Sequence, residues 1–413
     1  MTFKIYTLGC KVNAYESEAL KERLLKEGFI EAKGKEADIY FVNTCAVTNE
    51  AERKDLQKVR SLSRSFPGKR IVVRGCSSQI HKEEYLSIEG VDLVAGSSHK
   101  SDIETLTQGK DHVDRKSREF TFEDTPTQKG EKSVRGYRKV QDGCDNFCSY
   151  CVVPYTRGKS RSRGRESILK EAKSLLSHGV RELIIGGIDT GSYQDPLDPD
   201  YRLKDLLKDR LHLAPYPYRI RVSSIEISQI DEEYISLFAH HQDVLCPHFH
   251  IPLQSGSGKI LKRRNRKYSL SQYLDKVDEI KNRIPSVALS TDVITGFPTE
   301  NEEDFQSTYD FCRKVGFRRI HAFPYSERPF TMAAKLQGKI DPAIRQERTR
   351  RLISLSEANE RKYRQEVEDE LVLIEGKNKE GKYEGYSQHY LRYEFPFKEN
   401  RTGKFVKPGR EKK

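Results

Sequence analysis

Over the first quarter of the chain, apolar residues fall into short strand-like runs at 3–8, 39–43 and 71–74, separated by amphipathic stretches at 14–27 and 50–63. Short apolar runs alternating with helix-length patterns predict βαβαβ units and an open parallel α/β domain over 1–98. Asn13 followed three residues later by Glu16 suits a helix start, and Gly28 suits a helix end. From 99 to 132 polar Thr, Asp, Lys and Gln replace the periodic apolar residues. That segment reads as a connector, with one further strand around Phe120 and Phe122.

Strand-like runs recur at 137–140, 182–186, 219–223, 248–251, 287–294 and 319–323, with helical patterns at 166–178, 271–283 and 302–315 between them. Six βα units predict a partial (β/α)6 barrel over 133–369. A charged helix over 342–368 then leads into β-prone runs at 371–406, broken by Gly376, Gly381, Gly385 and Gly403. A small all-β barrel over 370–413 is expected there.

The chain has 413 residues, 35% hydrophobic, and no apolar run of membrane-spanning length; its start lacks a signal-peptide pattern. The expectation is a cytoplasmic protein with no membrane partner, in which eight cysteines serve metals or catalysis rather than disulfides. Cys144, Cys148 and Cys151 stand in C-x3-C-x2-C spacing directly after the first barrel strand. Three thiolates can ligate three irons of a 4Fe-4S cube and leave the fourth open to chelate S-adenosylmethionine. Cys148 and Cys151 also suit half a zinc site, but no second C-x2-C supplies the other half.

Cys10, Cys45 and Cys76 each follow one of the first three predicted strands. Carboxyl ends of parallel strands meet in one crevice, so these three read as ligands of a second cluster. The alternative is three unrelated strand-end thiols. Cys246 and Cys312 lie in apolar runs and read as core thiols, a fourth-ligand role being the weaker option. Gly186 and Gly187 would let backbone approach the methionine end of S-adenosylmethionine, and Gly296 would admit its adenine. His248 and His250 read as core or lining residues.

Lys plus Arg exceed Asp plus Glu by 74 to 62, a net charge of +12. Arg157, Lys159, Arg161, Arg163 and Arg165 follow the cysteine motif, and Lys262, Arg263, Arg264, Arg266 and Lys267 form a second cluster. The terminal segment carries Tyr383, Tyr386, Tyr390 and Tyr393. Basic clusters with aromatics suit RNA, with Arg157, Arg161, Arg163 and Arg165 as the expected phosphate contacts.

Several longer stretches bear on family. They are Thr7-Leu8-Gly9-Cys10-Lys11-Val12-Asn13, the six residues from Asn43 to Thr48, Val140-Gln141-Asp142-Gly143-Cys144, and Val153-Pro154-Tyr155-Thr156-Arg157-Gly158. Ser223-Ser224-Ile225-Glu226, the nine residues from His250 to Gly258, and Phe323-Pro324-Tyr325-Ser326 complete the set. In these the chain resembles, over essentially its whole length, the radical S-adenosylmethionine methylthiotransferase family. It is most similar to the branch that modifies C2 of N6-threonylcarbamoyladenosine at position 37 of tRNA. Phe330 and Met332 stand where that branch usually has Gly and Pro.

The resemblance implies an N-terminal methylthiotransferase domain with an auxiliary 4Fe-4S cluster on Cys10, Cys45 and Cys76, and a radical domain with a 4Fe-4S cluster on Cys144, Cys148 and Cys151. Gly186, Gly187 and Glu226 would contact S-adenosylmethionine, and the terminal TRAM-like barrel would grip RNA. One S-adenosylmethionine would supply the methyl group, and a second the 5'-deoxyadenosyl radical that removes hydrogen from C2. Implied partners are tRNA, an electron donor and a sulfur source. Alternative substrates within the family are N6-isopentenyladenosine in tRNA and an aspartate of a small-subunit ribosomal protein. A non-catalytic iron-sulfur RNA-binding protein is a further reading, although a purely structural cluster would normally have a fourth cysteine nearby.

Overall fold

The computed structural model describes residues 1–97, 103–108, 119–126, 133–368 and 370–409. These residues form two compact units. One comprises the described residues up to 126 together with 141–163 and 326–335, and the other comprises 133–140, 164–325 and those from 336 onward. Among the described residues no helix is long and apolar enough to cross a membrane.

The first unit is built on strands β1 (Thr2–Thr7), β2 (Ile30–Glu31), β3 (Ile39–Thr44), β4 (Arg70–Gly75) and β5 (Val91–Ala95), all parallel, in the order β2-β1-β3-β4-β5. Every residue of β3 is buried, as expected of a central strand covered on both faces. Successive side chains point to opposite faces, so Ile39 and Phe41 pack with Leu20, Leu24 and Val72, while Tyr40 and Val42 pack with Val59, Leu62 and Val73. β2 and β5 are too short to read from periodicity.

The helix Lys11–Lys26 begins at Cys10, not at the predicted Asn13, and Cys10 supplies no side-chain cap. Asn13 is engaged elsewhere: its Nδ2 donates to the carbonyls of Leu8 (2.8 Å), just past β1, and Thr44 (2.9 Å), the last residue of β3. Gly28, at φ +83°, follows the helix end as expected. Within the expected connector 99–132, residues 99–102, 109–118 and 127–132 lie outside the described residues. Ile103–Gln108 is helical, with Leu106 in the core. Phe120 and Phe122 form no strand. Arginines hold that segment instead: Arg161 lies over the Phe120 ring and donates to Thr121 O, and Arg163 pairs with Asp124 at 2.6 Å.

The chain enters the second unit with β6 (Arg135–Lys139), and returns to the first for the hairpin β7 (Gln141–Asp142) and β8 (Arg161–Ser162). The second unit then carries β9 (Glu182–Gly186), β10 (Arg219–Val222), β11 (His248–His250), β12 (Ala288–Thr295) and β13 (Arg319–Pro324). With β6 they are the six predicted barrel strands, all parallel, in two runs β10-β9-β6 and β11-β12-β13 joined by a bridge from Ile220 to Leu245. Helices such as Arg165–Ser177, Leu270–Arg283 and Glu302–Val315 cover them, the last two opened by capping boxes at Ser269 and Asn301. The long helix Pro342–Glu366 adds Leu352 and Leu355 to this core. Four antiparallel strands, β14 (Val372–Lys377), β15 (Tyr383–Ser387), β16 (Arg392–Phe395) and β17 (Phe405–Val406), form the curled TRAM-like sheet in the order β16-β15-β14-β17.

A buried charge cluster fastens that sheet to the barrel strands. Arg135, Glu182 and Arg219 are the first residues of β6, β9 and β10 and sit in register with one another. The carboxylate of Glu182 is fully buried and receives Arg135 (2.9 Å), Arg221 (3.0 Å) and Arg219. Burial alone would raise this carboxyl, but the three guanidiniums outweigh it and hold it well below the usual range. Their outer nitrogens then reach the terminal sheet. Arg219 donates to the carbonyls of Leu371 and Tyr386, Arg221 to those of Ser387 and Gln388, and Arg135 pairs with Glu375.

Glu182→Ala leaves buried Arg219 and Arg221 without a carboxylate, and Arg135 with Glu375 alone, and is expected to cost about 3–5 kcal/mol in urea unfolding. Because the folded pKa is depressed, the stabilising effect of Glu182 is present above the ordinary carboxylate range. It is lost only as pH falls through that depressed pKa, so the wild-type advantage over the variant should persist down to mildly acid pH.

Candidate functional site

Cys10, Cys45 and Cys76 follow β1, β3 and β4, which are adjacent in the sheet and end together, Thr7 paired with Asn43 and Thr44 with Gly75. The turns that bring them close depend on glycine. Gly9 has φ +95°, and a Cβ there would lie 2.5 Å from the Cβ of Cys45. Gly75 has φ +117°, and a Cβ would lie 2.5 Å from Thr44 O. Cys45 and Cys76 are buried and Cys10 is exposed. Burial pushes the Cys45 thiol up to about 12, and the neighbouring Cys76 and Cys10 add to the shift, so the three sulfurs sense one another's charge. The backbone N–H of Cys45 donates to Asp55 at 2.7 Å, and burial raises that carboxyl to about 8.

Among the described residues no three His, Cys, Asp or Glu side chains converge as the ligands of one metal ion would. An iron-sulfur cube makes no such demand, because each thiolate binds a separate iron. The surrounding charge also fits a cluster. Arg74, two residues before Cys76, is fully buried and its guanidinium finds no hydrogen-bond partner among the described residues. A 4Fe-4S core with three thiolates is anionic, and such a group beside a buried cation relieves both.

The second set, Cys144, Cys148 and Cys151, lies in the loop between β7 and β8, each half-buried. Gly143, at φ +72°, lets the loop cross the returning chain; a Cβ would lie 2.0 Å from Lys159 O. Cys144 N donates to Gly158 O, Asn146 N lies 3.5 Å from Cys144 Sγ, and Cys151 N donates to Cys148 O. The eight cysteines all lie among the described residues, and none is in a disulfide. Cys246 and Cys312 are fully buried in the second unit, with thiols raised by burial, Cys312 to about 12; both are core thiols.

Arg157 joins the two cysteine sets. Its side chain is 1% exposed, and its guanidinium donates to Glu16 and Asp142 (2.9 Å each) and to Asn13 Oδ1 (2.9 Å). Burial alone would lower its pKa, but Cys76, Glu16, Asp142 and Cys10 together raise it well above the usual value. The helix behind Cys10 and the strand before Cys144 are thereby tied to one cation. The expectation that Arg157 and Arg163 contact RNA phosphate is corrected, since both are buried and paired with carboxylates. Arg161 pairs with Asp142 and Arg165 with Asp198, and these two keep partly exposed surfaces. In the second basic cluster Arg264 is buried and Arg266 pairs with Glu226.

Gly186 ends β9, where a Cβ would lie 2.5 Å from both Ser223 Oγ and Tyr137 Oη, so side chains of the unit itself demand this glycine. Gly187, next to it, is partly exposed. Gly296 packs against Arg345 in the same way: a Cβ there would lie 2.2 Å from Arg345 Cγ, so Arg345 also demands a glycine at this position. His250 pairs with Asp292 at 3.2 Å and faces the His321 ring at 5.6 Å, a group on β11, β12 and β13 that lay too far apart in sequence to be read together. The terminal tyrosines are occupied: Tyr390 stacks on Tyr386 under Arg135 and Arg221, Tyr393 lies under Arg364, and Tyr383 is buried.

Two family models match the chain, the Radical SAM superfamily over residues 139–312 and Uncharacterized protein family UPF0004 over residues 2–96. The threonylcarbamoyladenosine tRNA methylthiotransferase MtaB of Bacillus subtilis is 36% identical, covering 98% of this chain and 93% of that protein. The protein of the same name from Thermotoga maritima is 35% identical with the same coverages. The tRNA-2-methylthio-N(6)-dimethylallyladenosine synthase of Natranaerobius thermophilus is 33% identical, also over 98% and 93%. Among solved structures, the radical S-adenosylmethionine methyltransferase TsrM of Kitasatospora setae shares the fold, with a TM-score of 0.58 at 16% identity, covering 80% of this chain and 76% of that one.

Arg157→Lys keeps one positive charge but cannot span Glu16, Asp142 and Asn13 together. It is expected to destabilise the first unit by about 2–3 kcal/mol, and Arg157→Ala by about 3–5 kcal/mol, as read by limited proteolysis and urea unfolding.

Proposed function

We propose the following for this chain, which belongs to the radical S-adenosylmethionine methylthiotransferase family and, within it, to the threonylcarbamoyladenosine branch: it attaches a methylthio group to C2 of N6-threonylcarbamoyladenosine at position 37 of tRNA. The supporting observation is the near-full-length likeness to relatives that carry this activity in their name, at 35 to 38% identity. The nucleoside in the names of other relatives, 2-methylthio-N(6)-dimethylallyladenosine, differs in the substituent on N6 and shares the methylthio group at position 2.

Cys144, Cys148 and Cys151 would hold the cluster that binds S-adenosylmethionine, and Cys10, Cys45 and Cys76 the auxiliary one. When bound, these groups supply the electron that cleaves S-adenosylmethionine to a 5'-deoxyadenosyl radical, and the sulfur that carries a methyl group to C2. The chain's own residues prepare the two sites. Arg157 provides positive charge beside the first thiols, with the buried Arg74 close to Arg157, and Gly9, Gly75 and Gly143 allow the tight turns of the two cysteine loops. Gly187 and Glu226 are the proposed contacts for S-adenosylmethionine, with Gly186 setting the turn that presents Gly187. Arg161 and Arg165 are the proposed phosphate contacts for tRNA. The reaction also requires an electron donor and a sulfur source.

Two experiments test the reading. Nucleosides of tRNA from cells lacking this protein should lose the methylthio group of one threonylcarbamoylated adenosine by mass analysis; loss from the dimethylallyl nucleoside instead would assign the other substrate. In vitro, Cys144→Ala, Cys148→Ala or Cys151→Ala should abolish 5'-deoxyadenosine formation. Cys10→Ala, Cys45→Ala or Cys76→Ala should keep part of it, bind about half the iron, and give no methylthiolated product. Equal loss of cleavage in both sets would refute the division of roles.

A further inference from the structure

Three aromatic side chains of the first unit stand exposed around the second cysteine loop: Phe147 and Tyr155, each 38% exposed, and Phe330, 57% exposed. They form a chain of rings. Phe147 meets Tyr155 edge-on, with centroids 6.1 Å apart and planes at 83°, and Tyr155 meets Phe330 at 6.1 Å and 39°. Met332, 60% exposed, follows two residues on. Contiguous apolar surface of this kind marks a place that a ligand or partner covers.

The backbone adds a second, independent observation. Phe147 (φ +47°) and Phe330 (φ +67°) both lie in the left-handed region, which disfavours residues with a Cβ. Phe330 is held there from both sides. On one side Ala333 N donates to Ser149 O (2.8 Å), between Cys148 and Cys151. On the other, buried Arg328 pairs with Glu52 (2.8 Å) and donates to Ala46 O (3.2 Å), next to Cys45, while Asn49 N donates to Ser326 Oγ (2.9 Å). Segment 326–335 thus spans from the neighbour of one cysteine set to the neighbour of the other, with Phe330 near its midpoint. Glycine would make the same turn without strain. Strain kept at such a position points to a use for the ring.

We infer that Phe330, with Tyr155 and Phe147 behind it, is a stacking platform for an unpaired purine base of the RNA substrate, and presents that base between the two cysteine sets. This rests on the tRNA reading above. A π-face stacks on any base, and loop bases of RNA are the ones that can be splayed onto aromatic side chains. Exposed Lys335 at the end of the segment, and a net charge of +12, suit the accompanying phosphates. The terminal tyrosines cannot take this role, since arginines and one another already occupy their faces.

The test uses the cluster-loaded full chain and an anticodon stem-loop RNA carrying 2-aminopurine, whose fluorescence falls on stacking, in place of the target adenosine. Wild type and Phe330→Trp should quench it. Phe330→Gly should bind on the order of tenfold more weakly with the quench largely lost, while its thermal midpoint stays equal to or above wild type because the strained turn is relieved. Equal quench and affinity in wild type and Phe330→Gly would overturn the stacking inference and leave the tRNA reading standing. Failure of wild type itself to bind the stem-loop would overturn both.

Discussion

The ion cluster around Arg157 is the constraint on which the candidate site depends. Asn13 and Glu16, on the helix that follows Cys10, and Asp142, on the strand that precedes Cys144, converge on one buried guanidinium. Removing two carboxylates and a guanidinium from water is costly, and the cost is offset only where geometry satisfies all of them. Here it does, so the helix behind Cys10 and the loop of Cys144 have one relative arrangement within their unit. The reaction proposed above, with a radical from one cysteine set and sulfur from the other, would need such fixed spacing.

The second unit uses the same device for a different purpose. Glu182 gathers three arginines at the amino ends of β6, β9 and β10, and these arginines satisfy backbone carbonyls of the terminal sheet. The arginine content of the chain therefore has a meaning that net charge conceals. Arg74, Arg157, Arg163, Arg210, Arg221 and Arg264 are among the largest fully buried side chains, so these six charges are structural.

The six strands of the barrel, the first sheet's β1, β3 and β4, the four-stranded tail and the placement of Cys10, Cys45 and Cys76 after adjacent strand ends were legible from sequence. The reason is that each depends on neighbours within a few residues. Period-two and period-3.6 patterns record which face a short element buries, and C-x3-C-x2-C spacing records a loop that can wrap one cube. What misled was charge and special local signals. Asn13 and Glu16 looked like a helix start but serve strand ends and Arg157, and Arg157 and Arg163 looked like phosphate contacts but are buried against carboxylates.

By itself, then, the sequence determined the elements, the cysteine spacing and the family, because these are properties of contiguous residues. Only the tertiary structure decided the partners of the charges and the fate of the aromatics. Arg157 meets Glu16 across 141 positions and Arg328 meets Ala46 across 282, separations at which no pattern along the chain records a contact. The same long-range packing buried Arg157 and Arg163, two of the four arginines read as RNA contacts, occupied the terminal tyrosines, and left Phe330 exposed in a strained turn between the two cysteine sets.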